Sequence, residues 1–303
     1  MASQRERNVS IMHRIGIIGT ENSHALAFAK LINLPDPRTG EYLYPDMRVV
    51  GVYGPDKDSE KQIMDEAKVD FIAPSPEAFF GKVDAMMVTC RKGSLHCGYA
   101  MPFVEKGMPV FIDKPFTCDT AEAAALVSAA KQHGALLTGG SGCKYAYDVL
   151  TLQNRAQTLR SEDKLLTGWI NFAADKNSIY DGFYFYSPHL TEMVLTIFGY
   201  DMRAVRAFER ESCVTVVARY DDFDVTMSFT KDTSDTNCII VGKEHNYCRA
   251  IDISQIYAHE VARFAQMLRE GIMPVSYDQL TRHTTVIGAI VQSMRTKEEI
   301  AID

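Results

Sequence analysis

The chain has 303 residues, of which 46% are hydrophobic and 23% are charged, and its formal net charge at pH 7 is -7. These proportions are normal for a globular protein with room for two domains, and the acidic balance argues against a nucleic-acid partner. No segment approaches the ~20 apolar residues of a membrane helix, and the polar first dozen residues lack a signal-peptide core, so we expect a cytoplasmic protein.

From Arg14 to about Gly140, short apolar runs alternate with longer amphipathic stretches. This alternation predicts a doubly wound α/β domain with a parallel sheet, which we place at residues 1–143. The predicted strands are RIGIIG, MRVVGVYG, VDAMMVTC, PVFID and ALLTGG, and helices are predicted in SHALAFAKLIN, DSEKQIMDEAK, SLHCGYAMPFVEKG and DTAEAAALVSAAKQHG. Ligands of such sheets bind beyond the carboxyl ends of the strands, so we expect the site in those loops.

The first strand leads into GIIGTENSHALAF, where a dinucleotide turn would use glycines in the frame G-x-G-x-x-G. The frame falls on Gly19, Glu21 and His24, so only the first glycine is kept. Glu21 adds negative charge near an anion unless its side chain points away or reaches a ribose hydroxyl. The residues suited to a helix start that attracts phosphate are Thr20, Asn22 and Ser23. A cofactor turn and a purely structural turn both stay open.

The end of the second strand, in VVGVYGPDKD, is where an adenosine ribose is usually bound. Gly54 ends the strand, and Asp56 and Lys57 follow. An acid here favours NAD, whereas a small residue followed by a lysine tolerates the additional phosphate of NADP. Gly54 and Asp56 are therefore candidate cofactor residues, with a plain polar loop as the alternative.

The stretch PVFIDKPFT places Asp113, Lys114 and Pro115 directly after an apolar strand. Pro115 fixes the backbone, so a rigid turn holds Lys114. A lysine in this position can donate to a substrate oxygen. An ordinary surface lysine in a turn is the alternative.

After about Lys144 the pattern changes, and we assign residues 144–303 to an α+β domain on a mostly antiparallel open sheet. Its predicted strands are KLLTGWINFAA, AVRAFE, CVTVVARY, DVTMSFT and TNCIIVG, with a hairpin turn at RYDDFD and helices at PHLTEMVLTIFG, SQIYAHEVARFAQMLREG and YDQLTRHTTVIGAIVQSMRT. One sheet face would carry Val214, Val216, Val225 and Met227. Because a monomer would leave that face wet, we expect a homodimer or homotetramer.

The helix in PHLTEMVLTIFG carries a second catalytic candidate. Ser187 suits the N-cap and Pro188 the first turn, which puts His189 at the positive end of the helix, where the imidazolium is disfavoured. Glu192, three residues later, is placed to orient the ring or to contact substrate. His189 is thus a candidate base. A histidine packed at a domain seam, or half of a metal site without a recognisable third ligand, are the alternatives.

The cysteines give no sign of a metal site. Seven are present, an odd number, and none forms a C-x-x-C pair. We interpret them as reduced, partly buried thiols and predict no metal.

Three segments in the right order resemble the family of glucose-fructose oxidoreductase, inositol dehydrogenase and MocA (Gfo/Idh/MocA). DKPFT is similar to the E-K-P tripeptide of the family's Rossmann domain, with Asp113 for Glu. FYSPHLTEMVLTIFG is similar to its D-x-G-x-H-x-x-D signature, with His189 on the histidine and Glu192 on the last acid. VTCRKGSLHCGYA, which lies between the first turn and DKPFT, is similar to a third family segment, with His96 on a family histidine near the cofactor. The first acid of the second signature falls on Phe185, so the family's proton-sharing Asp is missing.

The resemblance implies an oxidoreductase that transfers a hydride between NAD or NADP and a sugar, cyclitol or related polyol. His189 would take the hydroxyl proton and Lys114 would stabilise the oxyanion, and Tyr186 is a candidate to replace the missing Asp, with packing as its alternative. With the turn residues included, the candidate cofactor-binding residues are Gly19, Thr20, Asn22, Ser23, Gly54, Asp56, Thr89, His96, Asp113 and Lys114. The candidate substrate-binding residues are Lys114, Tyr186, His189 and Glu192.

Two rival functions stay open, because a fold alone does not fix a function. Glu21, His24 and Phe185 together suit a binding or regulatory protein that keeps the fold without turnover. His189 and Glu192 also suit an isomerase or lyase that uses acid-base or metal chemistry.

Overall fold

The computed structural model describes residues 12–302. The start of the predicted first domain, and with it most of the segment considered for a signal peptide, lies outside the described residues.

The first half of the chain forms a six-stranded parallel sheet in the order β3-β2-β1-β4-β5-β6. Its strands are β1 (His13–Ile18), β2 (Met47–Tyr53), β3 (Phe71–Ile72), β4 (Ala85–Val88), β5 (Val110–Ile112) and β6 (Leu137–Gly139). The connecting helices are α1 (Ser23–Asn33), α2 (Lys57–Ala67), α3 (His96–Val104) and α4 (Thr120–His133). The predicted doubly wound fold is therefore confirmed.

The second half forms a seven-stranded sheet in the order β12-β11-β7-β10-β9-β8-β13. Its strands are β7 (Leu165–Ala173), β8 (Ala204–Glu209), β9 (Cys213–Arg219), β10 (Asp224–Thr230), β11 (Asn237–Gly242), β12 (Asn246–Ala250) and β13 (Ile300–Ala301). The strands β7 and β10 pair in parallel and the other described neighbours are antiparallel, so the predicted mostly antiparallel sheet is confirmed. The β9–β10 hairpin turns where RYDDFD predicts it.

The helices of the second half are α5 (Tyr147–Ser161), α6 (Ser187–Phe198), α7 (Ile256–Glu270) and α8 (Tyr277–Thr296). Helix α7 returns to the first sheet, where Val261 and Phe264 share a core with Phe28 and Phe111. The hydrophobic core of the first sheet thus includes residues from the last quarter of the chain. A single domain boundary after residue 143 would leave these residues out of the first domain. That boundary stays a prediction.

The prediction that a monomer leaves one face of the second sheet wet is wrong. Val214, Val216, Val225 and Met227 are at most 1% exposed in a single chain. They pack in one core with residues of α6 and α8, such as Leu190, so the chain covers this face itself. The opposite face of the same strands carries partly exposed side chains, among them Trp169, Val217 and Ile239.

Among the described residues, no helix has the length and apolar character that crossing a membrane requires.

The homo-oligomer stays a prediction, now assigned to the outward face of the second sheet. Val217→Lys should convert the oligomer to a monomer with little loss of thermal stability, because it puts a charge into a partly apolar interface. The neighbouring Val216→Lys should prevent folding, because it buries an unpaired ammonium. Light scattering and thermal unfolding measure the two effects. A wild-type protein that is monomeric at assay concentrations contradicts the oligomer.

Candidate active site

A cavity of about 410 Å³ lies where loops of the first sheet meet the second half of the chain. Its volume is in the range of small-molecule sites. It is lined by residues that follow β1, β4 and β5, at the carboxyl ends of these strands, together with residues of β7, α6 and α7. The lining residues are Asn22, Ser23, His24, Arg91, Lys114, Cys143, Phe172, Tyr180, Phe185, Tyr186, His189, Ile253, Ile256 and Tyr257.

The turn after β1 keeps one glycine for a steric reason. Gly19 has φ of +106°, and a Cβ there would lie 2.3 Å from the backbone nitrogen of Cys90. The next frame position, Glu21, points toward the loop after β4, where its Oε1 accepts a hydrogen bond from the Arg91 N–H (3.0 Å). Its Oε2 is buried and has no hydrogen-bond donor among the described residues.

At the third glycine position of the turn, the His24 side chain makes contacts that a glycine cannot make. His24 lies in the first turn of α1, and its Nδ1 is 2.8 Å from Asp113 Oδ2. Asn22 caps α1 by accepting from the His24 N–H and donates its amide to the same Asp113 oxygen (3.1 Å). The ring packs edge-on against Tyr257 of α7. The bulk of His24 is thus accommodated by a helix from the second half of the chain.

Lys114 enters the cavity above the buried carboxylate of Asp113. The other oxygen of Asp113 accepts from the Lys114 backbone N–H (2.7 Å). Burial raises the pKa of Asp113, but His24 and the Lys114 ammonium outweigh it and the pKa is lowered. Burial lowers the pKa of Lys114, with Asp113 opposing this in part. In the described part of the chain, the Lys114 Nζ has a single weak acceptor, the Phe185 carbonyl at 3.5 Å.

Aromatic rings surround the basic groups of the cavity. Lys114 Nζ lies 4.3 Å from the ring centre of Phe185 and 4.9 Å from that of Tyr186. The Arg91 guanidinium lies 5.0 Å from the ring centre of Tyr180 and donates to its hydroxyl (3.1 Å). The rings of Tyr180 and Phe185 are 5.0 Å apart. Phe185 therefore offers Lys114 a π face where the resemblance expects a carboxylate.

His189 lies in the first turn of α6 and is 4% exposed. Burial, with Lys114 and His24 adding to it, holds the pKa of His189 well below its usual value, so the ring is neutral at ordinary pH. Its Nδ1 is 2.7 Å from Ser141 Oγ and 3.4 Å from Cys143 Sγ. Its Nε2 makes no hydrogen bond within residues 12–302. The helix begins without the expected cap, because Ser187 Oγ has no partner among these residues.

Glu192 does not lie where the sequence predicts it, against the His189 ring or in contact with substrate. It forms a buried ion pair with Lys144, accepts from the Ser141 N–H, and does not line the cavity. Burial lowers the pKa of Lys144, but Glu192 outweighs it and the pKa is raised. Ser141, rather than Glu192, contacts the His189 ring.

A third acid, Glu260 of α7, approaches the same turn. Its Oε1 accepts from the Gly142 N–H (2.6 Å), and a Cβ at Gly142 would lie 2.6 Å from the Glu260 Cδ. Burial, with Asp113 adding to it, raises the pKa of Glu260 well above its usual value, so this carboxyl is neutral.

The acidic side chains at the end of β2 are already hydrogen-bonded within the protein. Glu60, fully buried, accepts from the Gly54 N–H (2.9 Å) and pairs with Lys57 (2.8 Å). Asp56 caps α2 by accepting from two backbone N–H groups. A Cβ at Gly54 would lie 2.0 Å from Thr20 Oγ1, so glycine is required there.

Thr89 and His96 hold the loop after β4 in place. The Thr89 hydroxyl donates to the carbonyls of Ile18 and Gly19. The His96 ring nitrogens lie 2.6 Å from the Pro115 carbonyl and 2.8 Å from the Cys90 carbonyl. His96 thereby fixes the turn that carries Lys114 to the loop that carries Arg91.

The structure brings part of the predicted set together on the cavity: Asn22, Ser23, Lys114, Tyr186 and His189. It places the others behind the cavity or away from it: Gly19, Thr20, Gly54, Asp56, Thr89, His96, Asp113 and Glu192. Sequence reasoning missed the contributions of Arg91, Tyr180 and Ser141. Ser141 follows a predicted strand at its carboxyl end, as Lys114 does, and that position is the signal that marks it.

Within residues 12–302, no group of three or more His, Cys, Asp or Glu side chains is arranged to hold a metal ion.

The residues at the first turn fit the diphosphate and an adjoining ribose of a dinucleotide. The start of α1 faces the cavity, and its N-terminus favours an anion. The buried Glu21 oxygen without a donor matches the hydroxyl donors of a ribose. At the β2 end, by contrast, the oxygens of Glu60 and Asp56 are already occupied.

Residues 13–141, less than half of the chain, match the model of the Gfo/Idh/MocA family, described as an oxidoreductase family with an NAD-binding Rossmann fold. A search of curated protein sequences finds no match.

Solved structures share the fold over nearly the whole chain. GenD2 from gentamicin A biosynthesis, in complex with NAD, is 14% identical with a TM-score of 0.83, covering 100% of both chains. Myo-inositol 2-dehydrogenase from Lactobacillus plantarum is 12% identical with a TM-score of 0.79, covering 96% of this chain and 100% of that one. Scyllo-inositol dehydrogenase from Lactobacillus casei is 11% identical with a TM-score of 0.79, covering 97% and 99%. The family model thus confirms the resemblance for residues 13–141, and the solved structures, at 11–14% identity, show a shared fold.

Removing one member of the buried ion pair should be costly. Lys144→Met should lower the free energy of unfolding by about 3–5 kcal/mol, because it leaves the buried Glu192 charge unpaired. The double variant Lys144→Met/Glu192→Leu should recover much of this loss. Urea unfolding measures both. A double variant as unstable as the single one contradicts the assigned pairing.

Proposed function

Taking the Gfo/Idh/MocA Rossmann domain as the premise, we propose that the protein is an NAD(P)-dependent oxidoreductase that acts on a CH–OH group of a sugar, cyclitol or related polyol. One juxtaposition carries the proposal: Lys114 and the neutral ring of His189 line the same cavity as the start of α1. The neighbouring structures of inositol dehydrogenases and of an NAD complex support the substrate class and the cofactor.

The cofactor-holding residues are those of the first turn and of the neighbouring loops. In the proposal, the N-terminus of α1 with Asn22 and Ser23 binds the diphosphate, and Glu21 accepts from a ribose hydroxyl. Gly19, Thr89 and His96 support these groups by fixing the turn and the loop after β4. Gly54 and Asp56 stay candidates for the adenosine side, and both NAD and NADP stay open.

When bound, the nicotinamide supplies the hydride acceptor or donor. His189 acts as general base through Nε2, with its Nδ1–H donated to Ser141 Oγ. A neutral ring suits this role because its lone pair is available without prior loss of a proton. Lys114 stabilises the developing oxyanion, and Tyr186, close to both groups, is a candidate to relay the proton.

Because the family Asp is missing, two other functions also suit the cavity. A binding or regulatory protein would keep the cavity and lack turnover, and an isomerase or lyase would use His189 without hydride transfer. Cofactor binding separates these functions from the proposed one. The cytoplasmic location and the homo-oligomer stay predictions.

The first test concerns the cofactor and Glu21. Calorimetry with the oxidised and reduced forms of NAD and NADP should show saturable binding by at least one. Glu21→Gln should weaken that binding by about 10–100-fold, because a charged acceptor for a ribose hydroxyl is lost. The matched control is Glu105→Gln, an exposed carboxylate past α3, which should change nothing.

Two results would contradict these assignments. Tighter binding by Glu21→Gln would mean that the carboxylate repels the diphosphate. Absence of binding by all four forms to folded protein would remove the dehydrogenase and favour the regulatory protein.

The second test concerns the catalytic pair. His189→Asn should lower turnover by about 10²–10⁴-fold with cofactor affinity kept, because a positioned base is lost while a polar first-turn residue remains. Lys114→Met should do comparable damage through the oxyanion. The assay is hydride transfer with a panel of sugars and cyclitols.

Phe185→Asp is the converse variant, since an acid there restores the family's proton-sharing group beside Lys114. With a neutral polyol it should keep or raise turnover. Near-normal turnover in His189→Asn would instead move the role of base to Tyr186 or to a bound water.

A further inference from the structure

We propose that the substrate of this cavity carries a carboxylate, and that the Arg91 guanidinium and the Lys114 ammonium bind it. The inference rests on the proposed dehydrogenase function and narrows its substrate from polyols in general to sugar acids and other polyhydroxy acids.

The first support is the sign of charge in the cavity lining. Arg91 and Lys114 both line it, and none of the fourteen lining residues is acidic. Neither side chain has a carboxylate within ion-pair distance in the part of the chain that the structure describes. Lys114 is only 3% exposed, so water does not readily solvate its charge. A buried basic group without an anion is costly, and a bound carboxylate removes that cost.

The nearby acids compensate the charge of Lys114 only in part, because each carboxyl group is engaged elsewhere. Asp113 is fully buried and its oxygens face Asn22, His24 and the backbone N–H of Lys114. Glu21 accepts from the backbone N–H of Arg91, not from its guanidinium. Glu260 and Glu192 contact backbone N–H groups of the turn after β6. None of these carboxyl groups lines the cavity.

The second support is how the two basic groups are held. Arg91, Tyr180, Phe185 and Lys114 form a continuous row of cation, ring, ring and cation, with successive centres 4.3 to 5.0 Å apart. Ring faces hold a cation in place without neutralising it, unlike a carboxylate. Apart from the Arg91 bond to the Tyr180 hydroxyl and the weak Lys114 contact with the Phe185 carbonyl, the donors of both groups stay available to an anion in the cavity.

The third support is Phe185 itself. It stands where the resemblance expects an Asp, and it contacts Lys114 directly. An Asp there would supply negative charge from the protein and disfavour an anionic substrate. With Phe185, the substrate can supply that charge, since a carboxylate accepts charge-assisted hydrogen bonds from both Arg and Lys.

An anion in this region has two possible sources, the substrate and the cofactor diphosphate. The position of Arg91 favours the substrate. Its guanidinium is bound to Tyr180, which belongs to the segment between β7 and α6, and so it is drawn toward the second half of the chain. The same segment is attached to the loop after β4 by Asp181, which accepts from the backbone N–H and hydroxyl of Ser94.

The experiment compares acids with their uncharged counterparts by calorimetry, with and without saturating NAD(H) or NADP(H). The pairs are D-gluconate against D-glucitol and D-glucuronate against D-glucose. We expect at least one acid to bind about 10–100-fold more tightly than its counterpart. Arg91→Met should remove this preference and leave the uncharged compound unaffected. Lys92→Met, with the same charge change on the same loop but outside the cavity lining, should keep it.

Phe185→Asp gives a second, independent variant, because it adds negative charge beside Lys114. It should lower acid affinity at least tenfold and spare the uncharged partner. A preference that survives both Arg91→Met and Phe185→Asp overturns the proposal, as does the absence of any preference in the wild-type protein. Weaker cofactor binding by Arg91→Met with an unchanged acid preference assigns Arg91 to the diphosphate and also overturns it.

Failure of the proposed function has a different signature. Acid binding without any hydride transfer keeps the anion site and rejects the dehydrogenase. Hydride transfer from a neutral sugar without acid preference keeps the dehydrogenase and rejects the anion site.

Discussion

The buried ion pair between Lys144 and Glu192 is the contact on which the geometry of the site depends. It joins the turn that follows the last strand of the first sheet to helix α6 of the second half. Two charges removed from water are tolerable only where further hydrogen bonds satisfy them. Here Lys144 also donates to the Gly139 carbonyl, and Glu192 accepts from the Ser141 N–H. Ser141 is thereby fixed, and its hydroxyl sets the orientation of His189.

The buried acids near the cavity differ from Lys114 in how the protein compensates their charge. Glu192, Glu260 and Asp113 are all buried, and each is stabilised by backbone N–H groups or by a basic neighbour. Lys114 differs, because its ammonium contacts two rings and one distant carbonyl. Among these buried groups it is the one whose charge is least compensated by the chain. The cavity is therefore complementary to an electron-rich ligand group beside Lys114, such as a substrate oxygen or an oxyanion.

The sequence was sufficient for the elements with strong patterns and insufficient where burial depends on distant segments. The strands and helices of the first sheet followed from apolar runs and helical spacing, except the two-residue β3. Helix α5 was missed because its apolar positions form no clear stripe, and β12 because most of its residues are exposed at the sheet edge. The covered face at Val216 was misjudged because a strand pattern does not reveal which helices pack on it. Lys114 and His189 followed from their local position together with the family resemblance, whereas Arg91 required knowledge of Tyr180, about 90 residues away in the chain.

His24 illustrates why loss of a glycine motif is weak evidence for loss of function. The third glycine of a dinucleotide turn serves close packing of helix on strand. In this chain the ring at that position turns toward Asp113 and packs on Tyr257, so the helix still approaches the sheet. The substitution is compensated by α7, which returns to the first sheet and supplies both Tyr257 and the buried Val261. What a cofactor meets at this turn is then decided by the side chains and N–H groups left facing the cavity. The altered turn therefore leaves the fold intact and changes the electrostatics of this part of the molecule, at Glu21 and Arg91.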